Sequence, residues 1–320
     1  MPGHVTAILA AYPHLSCTGQ PVEVCAGAGI FYDILCPGKD ETFHFLKELI
    51  DDMCELFPGQ YFHIGGDETP KDRWNECPCC KKRMEAEGLS GNHQLQGYLA
   101  NRIAEHLKEW GKTAIVWNEA ALGGNLCSDI MVQIWNDDPK DPSLKSLSRE
   151  KDENGKPTSP NQGIGAKVIK AGGNVITSNM LGSYCDYPYA FISLDKIYNA
   201  ELVPQKCETF LSEAKQHVKG VECLIWTEHI RDGETLQRLA WPRFAAKAEI
   251  GWSGDQVHTY KDFEKRMKIL FPYLQKMIPN ATEPAGWRPK LFRAIKEMLV
   301  FSKNYSKKDR EGYADAQQSV

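Results

Sequence analysis

Two adjacent acidic residues, Asp67 and Glu68, end the segment HIGGDE, which begins at His63. The two glycines before them let the backbone bend tightly where a strand would end, so we expect both acids to project from that end. Two close carboxyl groups can be held in different protonation states, one as a general acid and the other ionised. The segment is therefore a candidate for acid–base chemistry.

Aromatic and acidic residues also follow other short apolar runs of the chain. They are Trp117 and Glu119, Trp135, Tyr184 and Asp186, and Trp226 and Glu228. A pyranose ring presents C–H faces that pack on indole rings, and hydroxyl groups that need carboxylate acceptors. This combination of side chains favours a carbohydrate ligand.

Short apolar runs alternate with longer amphipathic segments, a pattern typical of repeated βα units. The predicted strands are 61–64, 113–117, 130–135, 174–177 and 222–226, and the predicted helices are 41–57, 93–110, 235–250, 260–277 and 289–301. The ends of parallel strands share one rim, and (β/α) barrels carry their active sites there. We therefore expect an α/β fold of the (β/α)8 TIM-barrel type.

The composition excludes several classes of protein. The chain has 320 residues, of which 42% are hydrophobic and 25% charged, with a formal net charge of -4. These values exclude wholesale disorder, and the lack of a long Lys/Arg block argues against a nucleic-acid partner. No apolar run approaches the roughly 18 residues that a membrane span needs, so no span is expected.

The predicted domain organisation is one large domain with a short appendage. Residues 1–280 are expected to form the catalytic barrel, and residues 281–320 a C-terminal helix and a polar tail. Residues 136–165 interrupt the βα rhythm, being rich in Pro, Asp, Ser and Lys. This stretch is predicted to be a long insertion, either a plain surface loop or a loop that caps the substrate.

Several motifs together resemble the glycoside hydrolase family 20 β-N-acetylhexosaminidases. HIGGDE matches the family's strand-four motif His-x-Gly-Gly-Asp-Glu. PGH at 2–4, WNEA, QIWND, SYCDY, LIWTE and WPRFAAKAEIGWS match further motifs in the same order, over roughly residues 1–275. The resemblance implies hydrolysis of terminal β-linked N-acetylhexosamine (GlcNAc or GalNAc), with retention of configuration and no cofactor.

The family's mechanism is substrate-assisted, because the sugar's own 2-acetamido oxygen attacks the anomeric carbon. The resemblance implies that Glu68 is the general acid and base, and that Asp67 holds the acetamido group and stabilises the oxazolinium. By the same resemblance, His4 would orient the acids. Tyr184 would bind the acetamido oxygen, and Trp117 and Trp135 would form the walls of the acetamido pocket. Trp226 would lie under the sugar ring, and Asp186 and Glu228 would bind hydroxyl groups.

The front of the family pattern is missing from this sequence. Members carry two barrel strands before the PGH segment, and the first of them supplies an Arg that binds the sugar's outer hydroxyls. With about six βα units where closure needs eight, we expect a barrel without its first two strands. The isolated chain is then expected to be poorly soluble or oligomeric and nearly inactive, because unpaired strand edges invite association.

Three residue groups admit more than one interpretation. His63 is expected to be an inward, hydrogen-bonded strand residue rather than a reactant, and Glu119 is either an acceptor behind the site or the start of a loop. Cys77, Cys79 and Cys80 look like half of a zinc knuckle. No second CxxC follows at a suitable spacing, so no metal is expected.

Three functional hypotheses follow. A family 20 exo-hexosaminidase acting on a glycan substrate is favoured. The alternatives are a non-catalytic sugar-binding remnant, which the missing Arg supports, and a metal-dependent hydrolase using His63, Asp67 and Glu68, which the scarcity of His at strand ends opposes. The resemblance also implies an extracytoplasmic location, whereas sugar preference and oligomeric state are left open.

Overall fold

The fold is that of a computed structural model, which describes residues 1–25, 29–138, 160–254 and 259–304. Most of the predicted insertion 136–165 and the polar tail lie outside these ranges. The described residues divide into two compact units: Met1–Val175 with Gln205–His217, and Ile176–Pro204 with Val218–Asn304. The predicted domain boundary at residue 281 stays a prediction.

Three parallel strands form the centre of the first unit. They are β1 (Tyr61–His63), β2 (Thr113–Trp117) and β3 (Met131–Ile134). Tyr61 pairs with Thr113, and Ile115 pairs with Met131. Beyond β3, the backbone N–H of Val132 donates to Asn174 O, next to β4 (Val175–Thr177), in which the division between the units falls.

Amphipathic helices connect these strands, as the sequence predicts. In α2 and α5, apolar side chains recur every three or four residues and are buried, among them Leu46, Ile50, Leu99 and Ile103. The helices of this unit are α1 (Thr6–Ala11), α2 (Asp40–Leu56), α3 (Asp72–Glu76), α4 (Pro78–Ala86), α5 (Asn92–Glu109), α6 (Ile164–Lys170) and, after the chain returns from the second unit, α9 (Leu211–His217).

The second unit contains the rest of β4, strand β5 (Val218–Val221) and a set of helices. These helices are α7 (Met180–Ser183), α8 (Leu194–Tyr198), α10 (Gly233–Ala240), α11 (Arg243–Ser253), α12 (Tyr260–Met277), α13 (Pro284–Trp287) and α14 (Leu291–Asn304). Among the described residues, no helix is both long and apolar enough to cross a membrane.

Two sequence predictions about the second unit are wrong. The predicted strand 222–226 is not a strand; β5 ends at Val221, and Leu224 makes only an isolated parallel bridge to Tyr184. The predicted helix 235–250 is two helices, because Pro242 has no N–H to donate to the carbonyl of Arg238. The hydroxyl of Thr282 donates to that carbonyl instead, at 2.6 Å.

The guanidinium of Arg243 organises the second unit from its interior. Arg243 is fully buried and donates hydrogen bonds of 2.8–2.9 Å to the carbonyls of Leu239, Ile192, Cys185 and Tyr187. The chain between Cys185 and Ile192 is thereby fixed to the start of α11. Asp186, a candidate sugar ligand, lies in this stretch.

We predict that Arg243→Lys lowers the free energy of unfolding by roughly 2 to 4 kcal/mol, because one ammonium cannot serve carbonyls spread around a planar guanidinium. Chemical denaturation measures the loss. Arg238→Lys, an exposed arginine on α10, is the control and should stay within about 0.5 kcal/mol of wild type. Equal stability of the two variants would contradict the proposed role of Arg243.

Candidate active site

The turn that follows β1 is held in place through its backbone. Gly65 and Gly66 have φ of 81° and 109°, which other residues rarely adopt. A Cβ on Gly66 would lie 3.1 Å from the Cβ of Ala120. The carbonyl of Gly66 accepts from Gln96 Nε2 at 2.6 Å, and that of Gly65 accepts from the N–H of Trp117 at 2.9 Å. The sheet and α5 thus fix where the next two residues point.

Those two residues, Asp67 and Glu68, share one histidine. His4 Nε2 lies 3.3 Å from Asp67 Oδ2 and 3.4 Å from Glu68 Oε2. His4 and Glu68 both have positive φ, 55° and 46°, an uncommon and strained backbone for residues with a side chain. The three side chains are partly exposed, so a substrate has access to them.

Within this acid–base triad of His4, Asp67 and Glu68, the charges of His4 and Asp67 stabilise each other. Hydrogen bonds to Asp67 and then to Glu68 raise the pKa of His4 to about 10, so the imidazole is protonated at neutral pH. Burial alone would raise the pKa of Asp67, but the hydrogen bond and the charge of His4 outweigh it and leave that pKa below its usual value. Asp67 is therefore ionised and paired with an imidazolium.

A third carboxyl group, Glu119, lies behind the pair. It is buried in a 3-10 turn, Asn118–Ala121, that follows β2, and both its oxygens lie 3.0–3.1 Å from the indole Nε1 of Trp135. Burial raises the pKa of Glu119 to about 8, reinforced by the negative charge of Asp67. Of the two interpretations of Glu119, the structure supports an acceptor behind the site.

His63 supports the turn. Its Nδ1 accepts the N–H of Gly65 at 3.0 Å, and its ring lies 5.1 Å from that of Trp117. Desolvation lowers the pKa of His63, which favours the neutral ring. The hydrogen-bonded ring agrees with a structural role for His63, but its side chain is exposed rather than buried in the sheet.

The second unit gathers the other predicted sugar ligands. The Tyr184 ring is buried and lies 5.9 Å from that of Trp226, which is 37% exposed. Asp186 is 2% exposed, and burial raises its pKa to about 7 while Arg243 opposes the shift and Glu228 adds to it. Within the described part of the chain, Asp186 Oδ1 has no hydrogen-bond partner.

The predicted residues thus fall into two groups, each described within its own unit. His4, Asp67, Glu68, Trp117 and Trp135 belong to the first unit, and Tyr184, Asp186, Trp226 and Glu228 to the second. The raised pKa of Glu119 is not predicted from the sequence. Its one signal was an acid directly after an apolar strand, since burial of that position raises the pKa.

A cation could in principle use the donor atoms of His4, Asp67 and Glu68, which lie within 4.8 Å of one another. It would have to displace the proton that the two carboxylates hold on His4. His63, which the metal-hydrolase hypothesis requires, is not in this group, and its Nδ1 accepts a backbone N–H. The geometry therefore favours acid–base chemistry at this position.

Comparison with known proteins identifies the family. The profile of "Glycosyl hydrolase family 20, catalytic domain" matches residues 1–255, and the chain belongs to this family. It is 32% identical to a beta-hexosaminidase of Porphyromonas gingivalis over 94% of this chain and 38% of that protein. It is 28% identical to a beta-hexosaminidase of Akkermansia muciniphila over 83% of this chain and 51% of that protein.

Among solved structures, the Flavobacterium johnsoniae chitobiase is similar with a TM-score of 0.72 and 30% identity, over 88% of this chain and 39% of that one. The α/β fold of TIM-barrel type is thereby confirmed. The chain spans between about a third and half of the length of these relatives.

We predict that Glu119→Gln removes a pH dependence of stability. The pKa of Glu119 is 4.5 in the unfolded chain and about 8 in the folded protein. Between these two pH values the folded protein binds more protons at Glu119 than the unfolded chain does, so the free energy of unfolding of the wild type falls as pH rises. Gln still offers a carbonyl to Trp135. From pH 5 to pH 9, the variant should gain roughly 1 to 4 kcal/mol relative to wild type in denaturation experiments.

The control for the loss of one acid is Glu105→Gln, an exposed residue on α5. If the stability difference between Glu119→Gln and wild type stays constant across this pH range, Glu119 is ionised in the folded protein and the assignment is wrong.

Proposed function

We propose that this protein hydrolyses terminal, non-reducing, β-linked N-acetylhexosamine residues of glycans with retention of configuration. The observation that carries the proposal is the pairing of His4 with Asp67 and Glu68 on the turn after β1 of a family 20 catalytic domain. The similar proteins of P. gingivalis and A. muciniphila are named beta-hexosaminidases. A non-catalytic remnant is disfavoured, because both carboxyl groups and their histidine are present.

The two acids take different roles in the proposed reaction. The substrate's acetamido oxygen attacks the anomeric carbon while the bond to the leaving oxygen breaks and Glu68 protonates that oxygen. Water then adds to the anomeric carbon, Glu68 takes a proton from the water, and the ring of the oxazolinium reopens. No enzyme nucleophile is required.

Asp67 is proposed to accept the acetamido N–H and to stabilise the positive oxazolinium. Its lowered pKa supports this role, since only the ionised form opposes a developing positive charge. The high pKa of Glu119 helps to keep Asp67 ionised, because a second negative charge nearby would raise the pKa of Asp67.

The remaining roles follow the family resemblance and are part of the proposal. Trp117 and Trp135 line the acetamido pocket, Tyr184 binds the acetamido oxygen, Trp226 lies under the pyranose ring, and Asp186 and Glu228 bind hydroxyl groups. The unpartnered oxygen of Asp186 supports its role, because a buried acceptor is stabilised by a hydroxyl donor. His4 orients the two acids.

We predict that Glu68→Gln lowers kcat/KM for substrates with poor leaving groups by about 10² to 10⁴-fold, because an alkoxide must be protonated as it departs. For aryl β-GlcNAc substrates with very acidic phenols, the loss should be far smaller. The ratio of the two losses, measured by initial rates, is the test.

Glu76→Gln changes an exposed glutamate on α3, in the same connection between β1 and α5 as Glu68. It controls for the loss of one negative charge and should alter neither rate. Equal losses on both substrate types would argue against Glu68 as the general acid.

We also predict a strict requirement for the 2-acetamido group. With the same aryl leaving group, a β-glucoside should react orders of magnitude more slowly than a β-GlcNAc substrate, since the glucoside carries no internal nucleophile. A thiazoline mimic of the oxazoline should inhibit strongly. Comparable rates on both aryl glycosides would rule out substrate assistance.

A further inference from the structure

Four cysteines that are far apart in the sequence converge in the first unit. Cys17 and Cys36 lie in the segment between α1 and α2, and Cys77 and Cys80 lie at the start of α4. Their four sulfur atoms all lie within 4.8 Å of one another. None of the four forms a disulfide.

The spacing of the sulfur atoms fits a single metal ion. Cys17 Sγ lies 3.8 Å from Cys80 Sγ, and Cys36 Sγ lies 3.7 Å from Cys77 Sγ and 3.5 Å from Cys80 Sγ. Four thiolates arranged tetrahedrally around zinc, with Zn–S bonds of about 2.3 Å, lie about 3.8 Å apart. A disulfide would require about 2.05 Å.

The surroundings of the cluster suit a closed structural site. Cys36, Cys77 and Cys80 are buried, with Trp74 and Leu95 packed in the same apolar cluster. Cys79, by contrast, is exposed and outside the four-cysteine group. Cys17 is partly buried. Four cysteine ligands in a largely apolar shell are typical of structural zinc and leave no vacant position of the kind a catalytic zinc needs.

Neighbouring residues hold the two halves of the cluster together. A Cβ on Gly38 would lie only 2.3–2.5 Å from the backbone of Cys79 and Cys80, so this loop touches the first turn of α4. Trp74 Nε1 donates to the carbonyl of Leu35, next to Cys36, at 3.1 Å. Lys39 Nζ donates to the carbonyl of Ser16, next to Cys17, at 2.6 Å.

We propose that Cys17, Cys36, Cys77 and Cys80 bind one structural zinc ion. The sequence predicts no metal, because no second CxxC follows Cys77–Cys80 at a suitable spacing. The other two ligands come from separate positions on an earlier segment, and only folding brings them to the pair. Binding deprotonates the thiols and releases their protons, and no redox step is involved.

The zinc ion would join the two segments that carry the acid–base triad. Cys17 and Cys36 follow His4 along the chain, and Cys77 and Cys80 lie in the same connection between β1 and α5 as Asp67 and Glu68. The proposed zinc therefore tethers these segments outside the triad itself. The inference does not depend on the proposed hydrolase activity, because metal content and stability are read without a substrate.

The test measures metal in the purified full chain by elemental analysis, with X-ray absorption to identify the ligands. We expect one zinc per chain with four sulfur ligands at about 2.3 Å, and visible bands of tetrahedral thiolate coordination after replacement with cobalt(II). Removal of zinc by a strong chelator should lower Tm by about 5 to 10 °C, and zinc should restore it.

Cys36→Ser and Cys80→Ser should each lose the stoichiometric zinc, whereas Cys79→Ser, which changes the exposed cysteine of the same motif, should keep it. If a buried-site variant does not fold, the wild-type metal content and the cobalt spectrum still decide. Iron, no metal, zinc retained by both buried-site variants, or an intact mass that shows two disulfides among the four would each overturn the proposal.

Discussion

Two carboxyl groups on adjacent residues repel each other when both are ionised, and the candidate site depends on how the fold limits this repulsion. His4 does so from another part of the chain, where its imidazolium contacts both Asp67 and Glu68. The third acid of the site, Glu119, avoids adding charge because burial keeps it protonated to about pH 8. One cation, one ionised acid and one neutral acid thus lie beside the residue proposed to protonate the leaving group.

This balance of charges requires that His4 and the turn after β1, which are far apart in the sequence, keep fixed positions relative to each other. The turn after β1 is fixed by hydrogen bonds from Gln96 and from the backbone of Trp117, whereas His4 reaches it from an irregular segment near α1. An irregular segment has no sheet ladder to hold it, so its position depends on packing, on cross-links and on single hydrogen bonds such as that from Leu35 N–H to Pro2 O. The proposed zinc site supplies such a cross-link, because it joins Cys17 and Cys36, which follow His4, to Cys77 and Cys80, which follow Asp67 and Glu68.

In the second unit, a buried charge is compensated by neutral hydrogen-bond acceptors. Arg243 donates to four backbone carbonyls, two of which, those of Cys185 and Tyr187, flank Asp186. The guanidinium charge opposes the effect of burial on Asp186, yet the pKa of that acid still rises to about 7. With a pKa of about 7, Asp186 populates both its ionised and its neutral form near neutral pH. Within the described residues, one of its oxygens has no hydrogen-bond partner.

The sequence by itself determined the α/β class, the positions of most strands and helices, and the HIGGDE turn, because apolar periodicity and paired glycines act locally. It also identified the family, since several motifs occur in the expected order. The break of the helix at Pro242 is a local signal too, and the prediction of one helix overlooked it. The strand predicted at 222–226 failed for a different reason, because an apolar run does not reveal which residues find a partner strand.

Only the tertiary structure decided the features that join residues distant in the sequence. The high pKa of Glu119 depends on burial and on the charge of Asp67, neither of which residue spacing reveals. Likewise, Cys17 and Cys36 meet Cys77 and Cys80 only because the Gly38 loop packs against α4. Charge, burial and metal coordination depend on distances in space, and these are set by the packing of the whole unit.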